Sequence, residues 1–306
     1  MNNVLDFHRV KRSMAKSKIY YVIFFIPFAY YVLFHYVPMF GVLIAFKDYN
    51  VFQGVLDSPW VGFKYFREFL TEPYFYKLLR NTMLLGIYHL VFFFPAPIVL
   101  ALLLNELRNQ TFKRFVQTVS YLPHFLSTVV VVGMIVNLLS FEGLLNDALQ
   151  LLGISPRHFL MIPEWFRSIY IGSEIWQGIG WGSIIYLAAI TTVDLDLYEA
   201  ARIDGANRWK QMRHITLPSI APTIIILLLF NIGAVLSVSF EKILLLYNPS
   251  NFETSDVIST YVYRRGLISS DFSYATAVGL FNSVISVVFL TAANRISKRL
   301  SETSLW

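Results

Sequence analysis

The sequence predicts an all-α polytopic membrane protein, and three observations carry that prediction. Of its 306 residues 56% are hydrophobic and only 14% are charged, against roughly 25% charged in a soluble domain. Six apolar stretches, near residues 19–46, 82–104, 115–139, 169–190, 220–246 and 274–293, approach or exceed the ~20 residues a helix needs to cross hydrocarbon. Between the fourth and fifth stretches lies a polar, helix-forming island, too hydrophilic to cross. With no cysteine in the chain, disulfides, thiolate metal sites and cysteine nucleophiles are excluded.

Charge sets the expected orientation. With the N-terminus placed in the cytoplasm, fifteen of the 25 Lys and Arg residues fall on that side, although the opposite segments are longer. The basic bias of cytoplasmic loops therefore predicts six transmembrane helices with both termini cytoplasmic, and the island inside. Residues 1–18, with Arg9, Lys11 and Arg12, read as a cytoplasmic basic tail that favours anionic headgroups. Residues 19–306 read as one transmembrane domain. The apolar run 19–46 is too long for a signal-peptide core and ends in no small-residue cleavage site, so it is expected to remain as the first span. Pro27 and Pro38 should kink it.

An outer loop, 47–81, has mixed charge and is punctuated by Gly54, Pro59, Gly62 and Pro73, which predicts a short structured connection. His89 in the second stretch is either a relay or ligand contact, or an imidazole bonded to a neighbouring helix. Residues 143–153 (GLLNDALQLLG) are too short to cross and read as an amphipathic helix on the outer face or packed on the bundle. Glu174 enters the fourth stretch five residues from its outer end, about 8 Å deep. That depth allows snorkelling and leaves a structural hydrogen bond and a pathway contact both open. Glu174, Trp176, Gln177, Trp181, Asn231 and Asn282 combine aromatic faces with amide or carboxylate groups, which makes them candidates for a substrate pathway. The same polar groups also join membrane helices. Glu241 and Lys242, near the outer end of the fifth stretch, read as a local pair or a partner contact.

Within the island, Asp196 and Glu199 have capping-box spacing, with Asp196 at the cap. Ala200 and Ala201 favour a short helix over 197–204. Gly205 stands where a left-handed C-cap belongs, Asn207 can start a second short helix over 208–214, and Pro218 is expected to end it.

Glu199-Ala200-Ala201, Gly205 and Ile215-Thr216-Leu217-Pro218 match the EAA signature of ABC importer permeases. AFKDYN at 45–50, WVGFKYF at 60–66 and RNT at 80–82 resemble the sugar permeases of that superfamily, and His35-Tyr-Val-Pro38 resembles their oligosaccharide and polysaccharide branch. The resemblance covers nearly the whole chain and implies the type I ABC importer permease fold. It makes 191–219 a cytoplasmic coupling loop that docks on an ATPase subunit through Glu199, Ala200, Ala201, Asp204, Gly205, Arg208, Met212, Ile215, Leu217 and Pro218. Met212 stands where many relatives carry an aromatic. The implied partners are a second, homologous permease subunit, two ATP-binding subunits, an extracytoplasmic sugar-binding protein and membrane lipid, with no nucleic acid. The implied setting is the bacterial cytoplasmic membrane, and the implied mechanism is alternating access.

No GxxxxGK[ST] phosphate loop, HExxH or GxSxG occurs, so the chain is expected to bind no cofactor, with ATP and Mg on a partner subunit, to hold no metal and to have no catalytic residue. The EAA loop is shared across substrates, so an ABC permease for a non-sugar solute stays open, as does a secondary transporter working without ATP.

Overall fold

A computed structural model of the chain describes residues 17–301 together with 304 and 305. The expected basic tail lies outside these residues, apart from Ser17 and Lys18. All regular structure among the described residues is helical. The long helices are α1 (Lys18–Phe46), α3 (Phe75–Glu106), α7 (Pro163–Thr191), α9 (Arg208–Gly233) and α12 (Phe272–Ser301). Shorter ones are α2 (Lys64–Thr71), α4 (Gln110–Tyr121), α5 (Thr128–Leu139), α6 (Leu144–Leu151), α8 (Leu195–Ile203), α10 (Phe240–Leu246) and α11 (Ile258–Tyr263). By length and hydropathy five stretches could cross a membrane: α1, α3, α5 with α6, α9 and α12. A sixth is reached when α7 is taken with α8, which leaves it at 72°. Helix α7 does not qualify by itself because Glu174, Trp176, Gln177 and Trp181 interrupt its apolar run.

Pro218 acts differently from the expectation. Three π turns, Val32–Tyr36, His89–Phe93 and Met212–Thr216, each end two residues before a proline: Pro38, Pro95 and Pro218. In each, the residue before the proline donates its N–H five residues back, as Phe94 does to the His89 carbonyl at 2.9 Å. A proline has no N–H to give and its ring crowds the carbonyl four residues earlier. Widening the turn by one residue makes room for that ring while keeping the ladder bonded. Pro218 therefore does not end a helix. Residues 208–214 are the first turns of α9, which runs on to Gly233.

Two other spans are broken where the sequence predicted continuity. The third passage begins at Gln110, leaves helical geometry after a short 3-10 turn through Pro123, and resumes at Ser127, whose side chain caps α5 by accepting from the Val130 N–H at 3.4 Å. Helix α6 follows α5 after Ser140–Gly143 and is held by Asn146, fully buried, which bonds to the Ser140 and Arg157 carbonyls. The fifth passage stops at Gly233 and restarts at Phe240.

Helix α7 is the axis of the bundle. Its Pro163 carbonyl accepts from Thr254 Oγ1 at 2.5 Å, and its other end, 28 residues and about 42 Å away, leads into the island. The bundle thus has two ends. At the Pro163 end one apolar cluster includes Phe69, Leu78, Ile258, Tyr274 and Val278. Leu85, Val132, Tyr170 and Ile243 belong to a second, and Ala101, Tyr186, Ile190 and Ile220 form a third below the island. Gly180 lets α7 approach α4 so closely that a Cβ there would collide with the Ser120 carbonyl. Helix α1 is the exception to this packing: residues Lys18–Met39 bury nothing, and only its last turns reach α12.

At the Pro163 end the polar groups are knotted. Asp256, fully buried, receives both terminal nitrogens of Arg264, at 2.7 and 2.5 Å, together with the Tyr74 hydroxyl at 2.8 Å and Thr260 Oγ1 at 2.7 Å. Asn81 donates to the Asp256 and Glu253 carbonyls and accepts from Arg167 at 3.0 Å. Tyr261 and Tyr274 both donate to Glu72. The hydrogen bonds to Asp256 hold the Arg264 guanidinium above its ordinary range, and burial beside Asp256 pushes the Tyr74 phenol up.

Candidate functional site: the island and a buried ion pair

Helix α8 of the island is capped by Asp194, two residues earlier than expected. Its carboxylate accepts from the Asp196 N–H at 3.0 Å. Asp194 is extended and Leu195 is the first helical residue. Glu199 is then the fifth residue of the helix, too far along to reach back to the cap. It is exposed and has no partner among the described residues.

The C-terminus of α8 follows the sequence expectation closely. Gly205 has φ +74°, its N–H bonds the Arg202 carbonyl at 3.1 Å, and the Ala206 N–H bonds the Ala201 carbonyl at 2.8 Å. This is the paired bonding of a Schellman motif, in which glycine takes the left-handed position without a Cβ penalty. Asn207 then caps α9, accepting from the Lys210 N–H at 2.9 Å. The turn is tied down by Gln211 Nε2, which donates to the Ala206 carbonyl at 2.8 Å.

The matched residues divide into two groups. Met212 and Leu217 pack against the cluster of Ala101, Tyr186 and Ile220, and Thr216, buried, shares a 2.8 Å hydrogen bond with the Tyr198 hydroxyl. These seat the island on the bundle; Met212 faces inward. Ala201 and Ile215 are half-buried, whereas Glu199, Ala200, Asp204, Gly205, Arg208 and Pro218 are exposed. Two large apolar side chains join that exposed face without having been singled out: Ile203 is 87% exposed and Trp209 65%. A hydrophobic residue in the last turn of a polar helix was the signal that could have marked Ile203. Beside the island is a cleft of 1010 Å³ whose lining includes Arg108, Tyr198, Arg202 and Gln211. At its edge Arg208 NH1 lies 3.3 Å from Glu106 Oε2.

The pathway candidates are only partly brought together. Because α7 starts at Pro163, Glu174 lies eleven residues in, about 16 Å along the helix, too far for the snorkelling expected. It is paired instead with Lys242, which is only 2% exposed. Lys242 does not sit at an outer end with Glu241; it turns inward from α10 and also donates to Gln177 Oε1 at 2.9 Å. Gln177 Nε2 in turn donates to the Leu126 carbonyl, 3.2 Å away, in the break between α4 and α5. Trp181, one turn further on, stacks on His124 with centroids 4.5 Å apart and planes 3° from parallel. Asn231 meets His89, whose Nε2 is 3.3 Å from Asn231 Oδ1. A cavity of 180 Å³ separates this pair from Glu174 and is also lined by Tyr170 and Ser239. Two candidates stand apart. Trp176, two residues from Glu174, projects from the opposite side of α7. Asn282, on α12, lines a different cavity of 670 Å³, and its Oδ1 is buried without a hydrogen-bond partner among the described residues.

Residues 93–302 match the family model described as the inner membrane component of binding-protein-dependent transport systems. The chain belongs to that family. This inner membrane component is 46% identical over 299 residues to the polygalacturonan/rhamnogalacturonan transport system permease protein YteP of Bacillus subtilis (strain 168), covering 97% of this chain and 93% of the other. It superposes with a TM-score of 0.89, at 42% identity, on a chain of a bacterial ABC transporter involved in the import of the acidic polysaccharide alginate, covering 96% of this chain and 99% of that one. The same TM-score, at 41% identity and with coverage of 97% and 100%, is found for a bacterial alginate ABC transporter in complex with an alginate pentasaccharide-bound periplasmic protein. The family is a transport component, and the chain is a helical membrane protein of the type I ABC permease fold.

Proposed function

We propose that this chain is one of two permease subunits of an ATP-driven importer for an oligosaccharide or polysaccharide fragment, delivered by an external solute-binding protein. The observation that carries the reading is similarity above 40% identity, over nearly the full length of both partners, to a permease for polygalacturonan and rhamnogalacturonan and to the alginate importer. In this reading the island is the cytoplasmic face. ATP hydrolysis belongs to a separate subunit, on which the exposed residues Glu199, Ile203, Asp204 and Trp209 dock. The basic residues on the island side support that orientation. Helix α1, which leaves about three-quarters of its length uncovered by the rest of the chain, supports a second permease subunit as its cover. The membrane is the bacterial cytoplasmic membrane.

The test is affinity purification of this chain in mild detergent, followed by reconstitution. Co-elution of a second permease and an ATPase, with glycan uptake that needs ATP and the binding protein, is expected. Glu199→Lys should lower recovery of the ATPase severalfold, because it reverses a charge on the docking face. Uptake by the chain alone in vesicles without ATP would overturn the reading in favour of a secondary transporter.

A further inference from the structure

The buried ion pair and the stacked rings beside it lie on one stripe of α7. Glu174, Gln177 and Trp181 are spaced at three and four residues and share a face. Gln177 joins the two halves, accepting from Lys242 with one atom and donating to the Leu126 carbonyl with the other. The segment it holds carries His124 and Phe125. His124 stacks on Trp181, and Phe125 packs edge-on to the same indole at 5.7 Å. Trp181 remains 46% exposed and Phe125 70%, so the two rings, set at 83° to each other, present an aromatic corner about one helical turn from a buried ammonium.

Neither half is explained by packing. A charge in the membrane interior costs about 3 kcal/mol on insertion scales, and an apolar pair of similar volume often serves a fold equally well. An ammonium has three N–H donors, and Glu174 and Gln177 take two of those on Lys242. Glu174 is the more accessible partner, and it also borders the 180 Å³ cavity lined by Tyr170, His89 and Asn231. The Tyr170 hydroxyl accepts from the Ser239 N–H at 3.0 Å and donates to no described group. A carboxylate displaced from Lys242 thus has a polar recess, with an uncommitted donor, to move into.

We infer that Trp181, His124 and Lys242 form one glycan subsite that selects an acidic sugar. The ring of a uronate unit lies on the aromatic surface, and its carboxylate replaces Glu174 on the Lys242 ammonium. Glu174 masks the cation when the subsite is empty and swings into the recess when it is filled. The exchange trades one carboxylate for another, so Lys242 is never left unpaired. This inference rests on the importer reading above and deepens it by naming the chemistry of the cargo.

The test is equilibrium binding to the purified permease–ATPase complex without the external binding protein, whose own selectivity then does not enter. The probes are a trigalacturonate and the same trisaccharide with its carboxyl groups reduced to alcohols. Lys242→Gln should weaken the acidic probe about tenfold, the scale of a lost charge-assisted hydrogen bond, and change the reduced probe much less. The double variant K242Q/E174Q leaves no unpaired charge and serves if the single variant does not fold. Trp181→Ala should weaken both probes, and Trp181→Phe should restore most of the loss. Equal loss of both probes in K242Q, unchanged binding in W181A, or loss of the second permease from the purified W181A complex would each overturn the subsite. If instead the complete wild-type system imports neither glycan with ATP present, the importer reading itself fails.

Discussion

The two ends of the bundle are built by opposite means. At the Pro163 end, side chains far apart in sequence converge on Asp256 and Glu72, and a buried carboxylate is satisfied from four directions. At the island end the bonds are local: an Asp194 cap, a glycine-centred C-terminus and an Asn207 cap, all within thirteen residues of one another. Val193, Met212 and Leu217 pack the island on the helices beneath, the Tyr198 hydroxyl bonds Thr216 within it, and the exposed Arg208–Glu106 pair ties it to α3. Long-range polar knots hold segments immobile relative to each other, whereas locally capped helices keep their own shape while moving as a piece. In the importer reading proposed above, the Pro163 end serves as the frame and the island as the part that is displaced.

Removing Asp256 is the strongest way to break that contrast. Asp256→Ala strands Arg264 and Tyr74 beside an apolar cluster and should cost about 3–5 kcal/mol, read as a fall on the order of 10 °C in the unfolding midpoint in detergent. Unchanged melting would mean the knot is decoration. Gly205→Val probes the other end. A β-branched residue at φ +74° costs about 1–2 kcal/mol, confined to the turn, so melting should shift little while ATP hydrolysis proceeds without uptake. Wild-type uptake in that variant would remove the turn from the coupling path. The smallest effect is expected at Glu106→Gln. Its pair with Arg208 is largely exposed and should contribute less than about 1 kcal/mol, with no resolvable change in melting. A shift comparable to that of Asp256→Ala would show the island to be tied as firmly as the frame.

What could be read from the sequence follows the same division. Gly205 and Asn207 were placed correctly because a cap depends on residues two or three positions away. The start of α8 was missed because Asp194 and Asp196 are both plausible caps, and it is the Asp194 carboxylate that takes the Asp196 N–H. Pro218 was misread because a π turn absorbs it, and nothing in His214 or Ile215 announces that widening. Glu174 was found as a candidate, but its partner was not: Lys242 lies 68 residues away on a segment that reads as part of a continuous span. The break at Leu122–Ser127 was absorbed into the long stretch 115–139, although Pro123 and Ser127 mark its two ends. Trp181 was selected for its chemistry, yet His124, which stacks on it, sat outside every pattern used.

The π turn ahead of Pro218 has a mechanical consequence. It leaves the second half of the island collinear with α9, a rod of 26 residues, while the first half meets α7 through a 72° elbow. A push delivered at Trp209 is therefore transmitted lengthwise as thrust, while one delivered at Glu199 or Ile203 acts on a crank and becomes torque. One docking event would load the two helices in different ways. The rod ends at Gly233, two residues past Asn231, whose cavity Glu174 also lines, so in the importer reading the stroke would end beside that carboxylate.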